Sequence, residues 1–219
     1  MPLKNNLRVL SGIQPSGALH LGNYFGMMAR MIKYQEENEL FCFIANYHAM
    51  TTLPDSGTLS SNTFNAACDF LALGLDPEKS TFWVQSDVPQ VTELTWLLSP
   101  QASVGLMDRA TSYKDKIAQG IKPNMGLYSY PILMAAIILL FDSQIVPVGK
   151  DQKQHLELAR DLAIRFNSTY SDTFVVPEPC IPKTGARIMS LQEPEKKMSK
   201  SDDNLNNLIA ILDSADIVK

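Results

Sequence analysis

The sequence predicts an α/β fold, a doubly wound parallel sheet with helices on both faces, and three observations lead to it. A short apolar run, RVLSGI at 8–13, ends in a glycine-bearing break, QPSG, and opens into a helix-like stretch. The same order of strand, loop and helix then repeats along the chain, as parallel crossover units require. Near the middle, IVPV at 145–148 reads as one more short buried strand feeding an amphipathic helix.

In order, the first helix is expected from about His20 to Glu37, followed by a strand at LFCFIA (40–45). Gly57 to Leu73 has helical period, and TFWVQS (81–86) is strand-like again. Two helical segments are expected between Glu93 and Ala118, separated near Ser99 and Pro100, with a polar connection from Gly120 to Gly126. Pro131 to Phe141 forms a strongly apolar helix. From Asp151 to Phe166, Leu156, Ala159, Leu162, Ala163 and Phe166 share one helical face. The tail holds FVVP (174–177) and RIMS (187–190) as strand-like runs, then a helix from about Asn206 to Leu212. No internal repeat, low-complexity segment or linker interrupts the chain, so one domain over 1–219 is expected.

Composition narrows the function classes. With 45% hydrophobic and 19% charged residues and no long apolar span, a soluble globular protein is expected rather than a membrane one. The start, MPLKNNLRVLSG, lacks a secretory h-region, which makes the cytoplasm the expected location. Cys42, Cys68 and Cys180 lie far apart without metal-ligand spacing and read as buried thiols. A net charge of −4 gives no general attraction to nucleic acid. Phosphate recognition must therefore come from local clusters, at Lys114/Lys116, Lys196/Lys197/Lys200 and around Arg187.

Ligands of open parallel sheets bind beyond the carboxyl ends of strands, where helix N-termini present unpaired N–H groups. SGIQPSGALHLGNYFG lies at such a point. Gly12 and Gly17 would let a ligand approach the backbone, and His20 and Asn23 would stand in the first helical turn. Alone, this stretch reads as a tight strand-to-helix turn capped by His20. The run EKKMSKSDDN (195–204), likewise alone, reads as a solvated lysine loop.

Together, however, PSGALHLGN and KMSKS resemble the paired motifs of the class I aminoacyl-tRNA synthetases, whose core is Rossmann-like. VPVGKDQKQHLELARDLA (146–163) and IPKTGARIMSL (181–191) are similar to the tryptophanyl branch in particular. The resemblance covers nearly the whole chain. It implies that an amino acid's carboxylate attacks the α-phosphorus of ATP, and that the resulting adenylate passes to tRNA(Trp). Charge developing toward pyrophosphate calls for positioned donors and cations. By motif match, Lys197 and Lys200 would hold the β- and γ-phosphates, with Ser199 and Ser201 letting the backbone close and Met198 packing near adenine. His20 and Asn23 would donate to the reacting phosphate, Gln14, Gly22 and Lys114 would line the ATP site, and Asp151 would serve near the ribose. Mg²⁺ should accompany ATP, although no carboxylate cage for it can be read.

On YPILMAAIILLF, Tyr130, Met134, Ile137 and Ile138 share one helical face, which by itself describes a buried core helix. The resemblance makes Tyr130, Met134, Ile138, Val146, Val148, Gln152 and His48 the lining of a tryptophan pocket. Ile137 departs from it, standing where the family carries an aspartate that accepts the indole N–H. A buried N–H without a partner costs about 1–3 kcal/mol, or roughly 5- to 150-fold in affinity. Lys150 also stands where many relatives have an acid. The chain ends at Lys219, soon after KMSKS, where relatives continue into a helical anticodon-binding domain. That domain is expected to be absent, with weak transfer to tRNA as the consequence. The relatives pair as homodimers, and TWLLSPQASVGLM is apolar enough for such a contact. Ile137 and the missing domain leave two alternatives to a tryptophan–tRNA ligase: a paralogue with altered amino-acid specificity, and a binding module without turnover.

Overall fold

Five parallel strands order themselves β3-β2-β1-β4-β5 among the described residues. They are β1 (Arg8–Ile13), β2 (Glu39–Ile44), β3 (Ser80–Val84), β4 (Ile145–Pro147) and β5 (Glu178–Cys180). The structure, a computed structural model, describes residues 6–52, 55–108, 111–118, 120–149, 152–180, 188–199 and 204–218. Its helices in chain order are α1 (Leu21–Asn23), α2 (Ala29–Tyr34), α3 (Asn46–Ala49), α4 (Ser56–Ala72), α5 (Gln90–Leu98), α6 (Val104–Met107), α7 (Thr111–Ala118), α8 (Met125–Leu140), α9 (Lys153–Thr169) and α10 (Ala215–Val218). Among the described residues no helix is long and apolar enough to cross a membrane.

The register pairs Arg8 with Glu39 through Ile13 with Ile44, and Leu40 with Ser80 through Ile44 with Val84. On the other side of β1, Val9 meets Ile145, and β4 pairs with β5 from Ile145–Glu178 to Pro147–Cys180. The chain thus builds outward from β1 to β3 and then crosses back to β4. That reversal opens a crevice at the carboxyl ends of β1 and β4, where doubly wound sheets bind ligands.

Alternation along the strands explains why both faces are covered. Val9, Ile13, Leu40, Cys42 and Ile44 pack with Met28, Met31, Ala66 and Phe70 from the first helices and α4. Leu10 and Phe43 face the opposite way, toward residues of α5, α8 and α9. Both faces of the sheet are therefore dry, as parallel sheets require.

Several boundaries differ from the sequence reading. The apolar helix α8 begins at Met125, six residues before Pro131, because the Asn124 side chain accepts the Leu127 N–H at 2.8 Å and caps it. Asn124→Ala should cost about 1 kcal/mol, a fall in Tm of roughly 2–4 °C on thermal melting. The edge strand is Glu178–Cys180 rather than 174–177. Phe174 instead lies against Phe166 of α9, ring centres 4.8 Å apart, where burial outweighs its strand propensity. The helix expected from Asn206 to Leu212 is replaced by a short 3₁₀ turn and an extended bridge at Ala210. Of the cysteines, Cys42 is buried, and its thiol pKa is pushed up by that burial, but Cys68 is exposed and Cys180 half-buried. Arg187 lies outside the described residues; Met189 beside it forms a bridge to Lys197.

Candidate active site

The loop after β1 brings the two motifs together. His20 is extended (φ −130°, ψ 170°), and its N–H donates to Asn23 Oδ1 at 3.1 Å while the Asn23 N–H returns to the His20 carbonyl at 2.8 Å. A π-helical turn, Tyr24–Met28, follows directly, a distortion often found at functional sites. The loop is clamped from the far end of the chain. Leu21 N–H donates to the Ile209 carbonyl at 3.0 Å, and Ile211 N–H to the Leu19 carbonyl at 2.8 Å.

Gly22 gives the His20 ring its room: a Cβ there would lie 2.8 Å from Cε1 of His20, so the imidazole would have to shift, while Cβ of Met198, at 3.6 Å, would be in ordinary contact. Met198 is only 3% exposed. Its N–H donates to the Ile188 carbonyl at 3.0 Å, and Ser190 N–H donates to the Lys196 carbonyl at 2.9 Å, so 188–190 and 196–198 form a small ladder. Met198 therefore anchors a loop of lysines onto the His20 turn. Gln14 and Ser199 are half-buried and Lys197 is exposed. Lys200, Ser201 and Asp151 lie outside the described residues. Gly12 does not open to a ligand on its Cα face, because the Phe43 ring fills it; a Cβ would meet that ring at 2.5 Å.

A second cluster forms around Tyr130, which α8 turns toward α9. Its hydroxyl lies 2.8 Å from Nε2 of His155, whose Nδ1 lies 3.0 Å from Oε1 of Gln152. With the Gln152 oxygen as acceptor, Nδ1 carries the proton and Nε2 accepts from the Tyr130 hydroxyl. The His48 and Tyr130 rings meet edge to face at 6.1 Å, and Nδ1 of His48 lies 3.2 Å and 3.1 Å from the amide oxygen and nitrogen of Gln85. The half-buried Lys116 ammonium stands 5.6 Å from the Tyr130 ring centre, and its pKa is lowered by burial.

Burial lowers the His48 pKa from 6.5 to about 4; the Gln85 bond opposes this, and His155 and Lys116 add to it. An unfolded His48 takes up a proton near pH 6.5, whereas the folded one refuses it until about pH 4. The contribution to stability is thus complete above 6.5 and lost as pH falls toward 4. His48→Gln should flatten that slope in urea titrations made at both ends of the window.

Met134 and Val148 are half-buried and pack against the core, and Val146 is buried in β4. Ile137 and Ile138 are only 1% and 2% exposed and belong to the core. Lys114 is exposed on α7; Lys116, two residues on, is the lysine that reaches Tyr130. Sequence reasoning assigned no role to Gln85 or His155, and placed Lys116 only in a phosphate-recognising cluster with Lys114. A signal for His155 existed: the chain has three histidines, and all of them, His20, His48 and His155, are buried at 2%, 5% and 4% exposure. Buried histidines need partners, and His48 and His155 have theirs in Gln85, Tyr130 and Gln152.

A family model described as tRNA synthetases class I (W and Y) matches residues 1–219. The chain belongs to this family. It is 54% identical over 204 residues to the tryptophan–tRNA ligase of Fusobacterium nucleatum, covering 93% of this chain and 62% of that protein. With the tryptophan–tRNA ligase of Campylobacter jejuni it shares 52% over 198 residues, covering 90% and 61%. The chain thus spans about three fifths of the length of these relatives. The fold is that of the family: the Campylobacter jejuni tryptophanyl-tRNA synthetase solved with ADP and tryptophan superposes with a TM-score of 0.90 at 50% identity, covering 97% of this chain and 65% of that one. The Mycoplasma pneumoniae enzyme gives 0.89 at 41%, covering 97% and 64%.

Proposed function

We propose that this chain is the catalytic domain of a tryptophan–tRNA ligase, which activates tryptophan with ATP and passes it to tRNA(Trp) in the cytoplasm. The observation that supports this most is the junction of His20, Gly22 and Met198 beside the β1–β4 crevice, in a chain about half identical to named tryptophan–tRNA ligases. That identity favours tryptophan over a paralogue of altered specificity.

In this reading a carboxylate oxygen of tryptophan forms a bond to the α-phosphorus of ATP, and the bond from that phosphorus to the pyrophosphate oxygen breaks. His20 and Asn23 donate to the α-phosphate, Gln14, Gly22 and Lys114 line the nucleotide site, and Asp151 serves the ribose. Lys197 and Lys200 neutralise charge growing on pyrophosphate, with Met198 fixing the loop and Ser199 giving it room to close. The Tyr130 hydroxyl and the neighbouring Gln152 amide are the polar groups that suit the tryptophan ammonium. Mg²⁺ would accompany ATP and supply charge neutralisation at its phosphates, alongside Lys197 and Lys200.

Homodimerisation through α5 and α6 fits the same reading, since Trp96, Leu97 and Val104 expose large apolar surface there, Trp96 at 75%. Sedimentation should give a dimer at micromolar concentration. Amino-acid-dependent exchange of labelled pyrophosphate into ATP tests the activity. Tryptophan should support it above the other amino acids; exchange driven by a different amino acid, or by none, would overturn the proposal.

A further inference from the structure

We infer that Nε2 of His48 accepts a hydrogen bond from an N–H of the bound amino acid, making His48 a specificity-determining residue of this pocket. The inference rests on the reading of the chain as a tryptophan-activating enzyme. His48 is 5% exposed, and its Nε2 is buried with no hydrogen-bond partner among the described residues. Its other ring nitrogen is occupied by Gln85. Such a buried, unmatched ring nitrogen is costly, and it persists where a ligand supplies the partner.

The surroundings suit this atom to accept. Burial, His155 and the Lys116 ammonium all disfavour a proton on the ring, so the imidazole is neutral. Nδ1 faces the Gln85 amide oxygen at 3.2 Å and its nitrogen at 3.1 Å, and the tautomer invoked here is the one in which Nδ1–H donates to the oxygen, which places the lone pair on Nε2. The neighbouring acceptor Oε1 of Gln152 is already engaged by His155. On α8, meanwhile, Ile137 and Ile138 are aliphatic and buried, and offer nothing to an N–H. Tryptophan carries N–H groups at the indole and at the ammonium, and either satisfies the chemistry.

Calorimetric binding separates the two sources, using the full 219-residue chain without ATP. The probes are tryptophan, its benzothiophene analogue lacking the ring N–H, and indole-3-propionate lacking the ammonium. In the wild type, loss of the N–H that His48 reads should weaken binding by about tenfold. In His48→Leu, tryptophan should weaken by a similar factor and the penalty for that one analogue should vanish; His48→Gln, with an amide oxygen near the Nε2 position, should regain part of it. The analogue whose penalty vanishes identifies the N–H. Penalties unchanged in His48→Leu, or equal weakening of all three probes, would overturn the inference. Nitrogen-15 spectra of the wild type give a test independent of any variant: the unprotonated Nε2 resonance should move when tryptophan is added, and an Nε2 that is unmoved or protonated rules His48 out. A folded wild type that binds no tryptophan would overturn the proposed function itself, whereas tryptophan binding with intact penalties in His48→Leu overturns only the role of His48.

Discussion

Lys197→Ala and Lys200→Ala are each expected to lower tryptophan-dependent pyrophosphate exchange by about two to three orders of magnitude, the scale of a positioned transition-state donor. Melting temperature should scarcely move. Lys197 is exposed, and its bridge to Met189 is made by the backbone, which alanine retains. Exposed cations contribute little to folding, but interactions that strengthen as charge develops act on the rate. Met198→Ala provides the contrast. Met198 is buried against the Gly22 turn, so its truncation should lower both stability, by about 2–5 kcal/mol, and activity. If the lysine variants lose stability in proportion to activity, the lysines are structural and the assignment of roles fails.

The burial of Met198 against the His20 turn was only half legible in the sequence. KMSKS and HLGN are local patterns, and their pairing follows from a resemblance that spans the chain. The parallel, helix-flanked sheet also followed from local signals, since each crossover unit carries its own strand and helix. What failed depends on contacts distant in sequence. The segment 209–211 pairs with Leu19 and Leu21 through backbone bonds that no side-chain pattern announces, so a helix was expected where an extended clamp lies. Gly12 gave the right signal with the wrong partner: it makes room for the Phe43 ring from β2 rather than for a ligand. Gln85 ends a strand-like run and shows its role only where the loops after β2 and β3 meet, Asn46 holding Ser86 at 2.8 Å beside the His48–Gln85 pair.

Ile137 carries the other large effect. Its 1% exposure among core residues means that Ile137→Asp places a carboxylate where water does not reach. Burial raises the pKa of such a group above its unfolded value of about 3.9. The folded variant then holds a proton that the unfolded chain has released, so its stability relative to the wild type falls as pH rises from about 4 through the raised pKa, and stays low above it. A loss of several kcal/mol is expected at neutral pH, visible as a lower Tm than the wild type and a smaller deficit in acid. Tryptophan should reverse part of it. Ile137 lies two helical turns from Tyr130 on the same face of α8, so an indole N–H in the Tyr130 pocket is a donor within reach of the new carboxylate. One such charge-assisted bond is worth about 1.5–3 kcal/mol, which tightens tryptophan by one to two orders of magnitude. The rise in Tm on adding saturating tryptophan should therefore be larger for Ile137→Asp than for the wild type, while the benzothiophene analogue raises both alike. Equal rises with tryptophan would mean that no ring N–H reaches this face of the helix, and that position 137 serves the core alone.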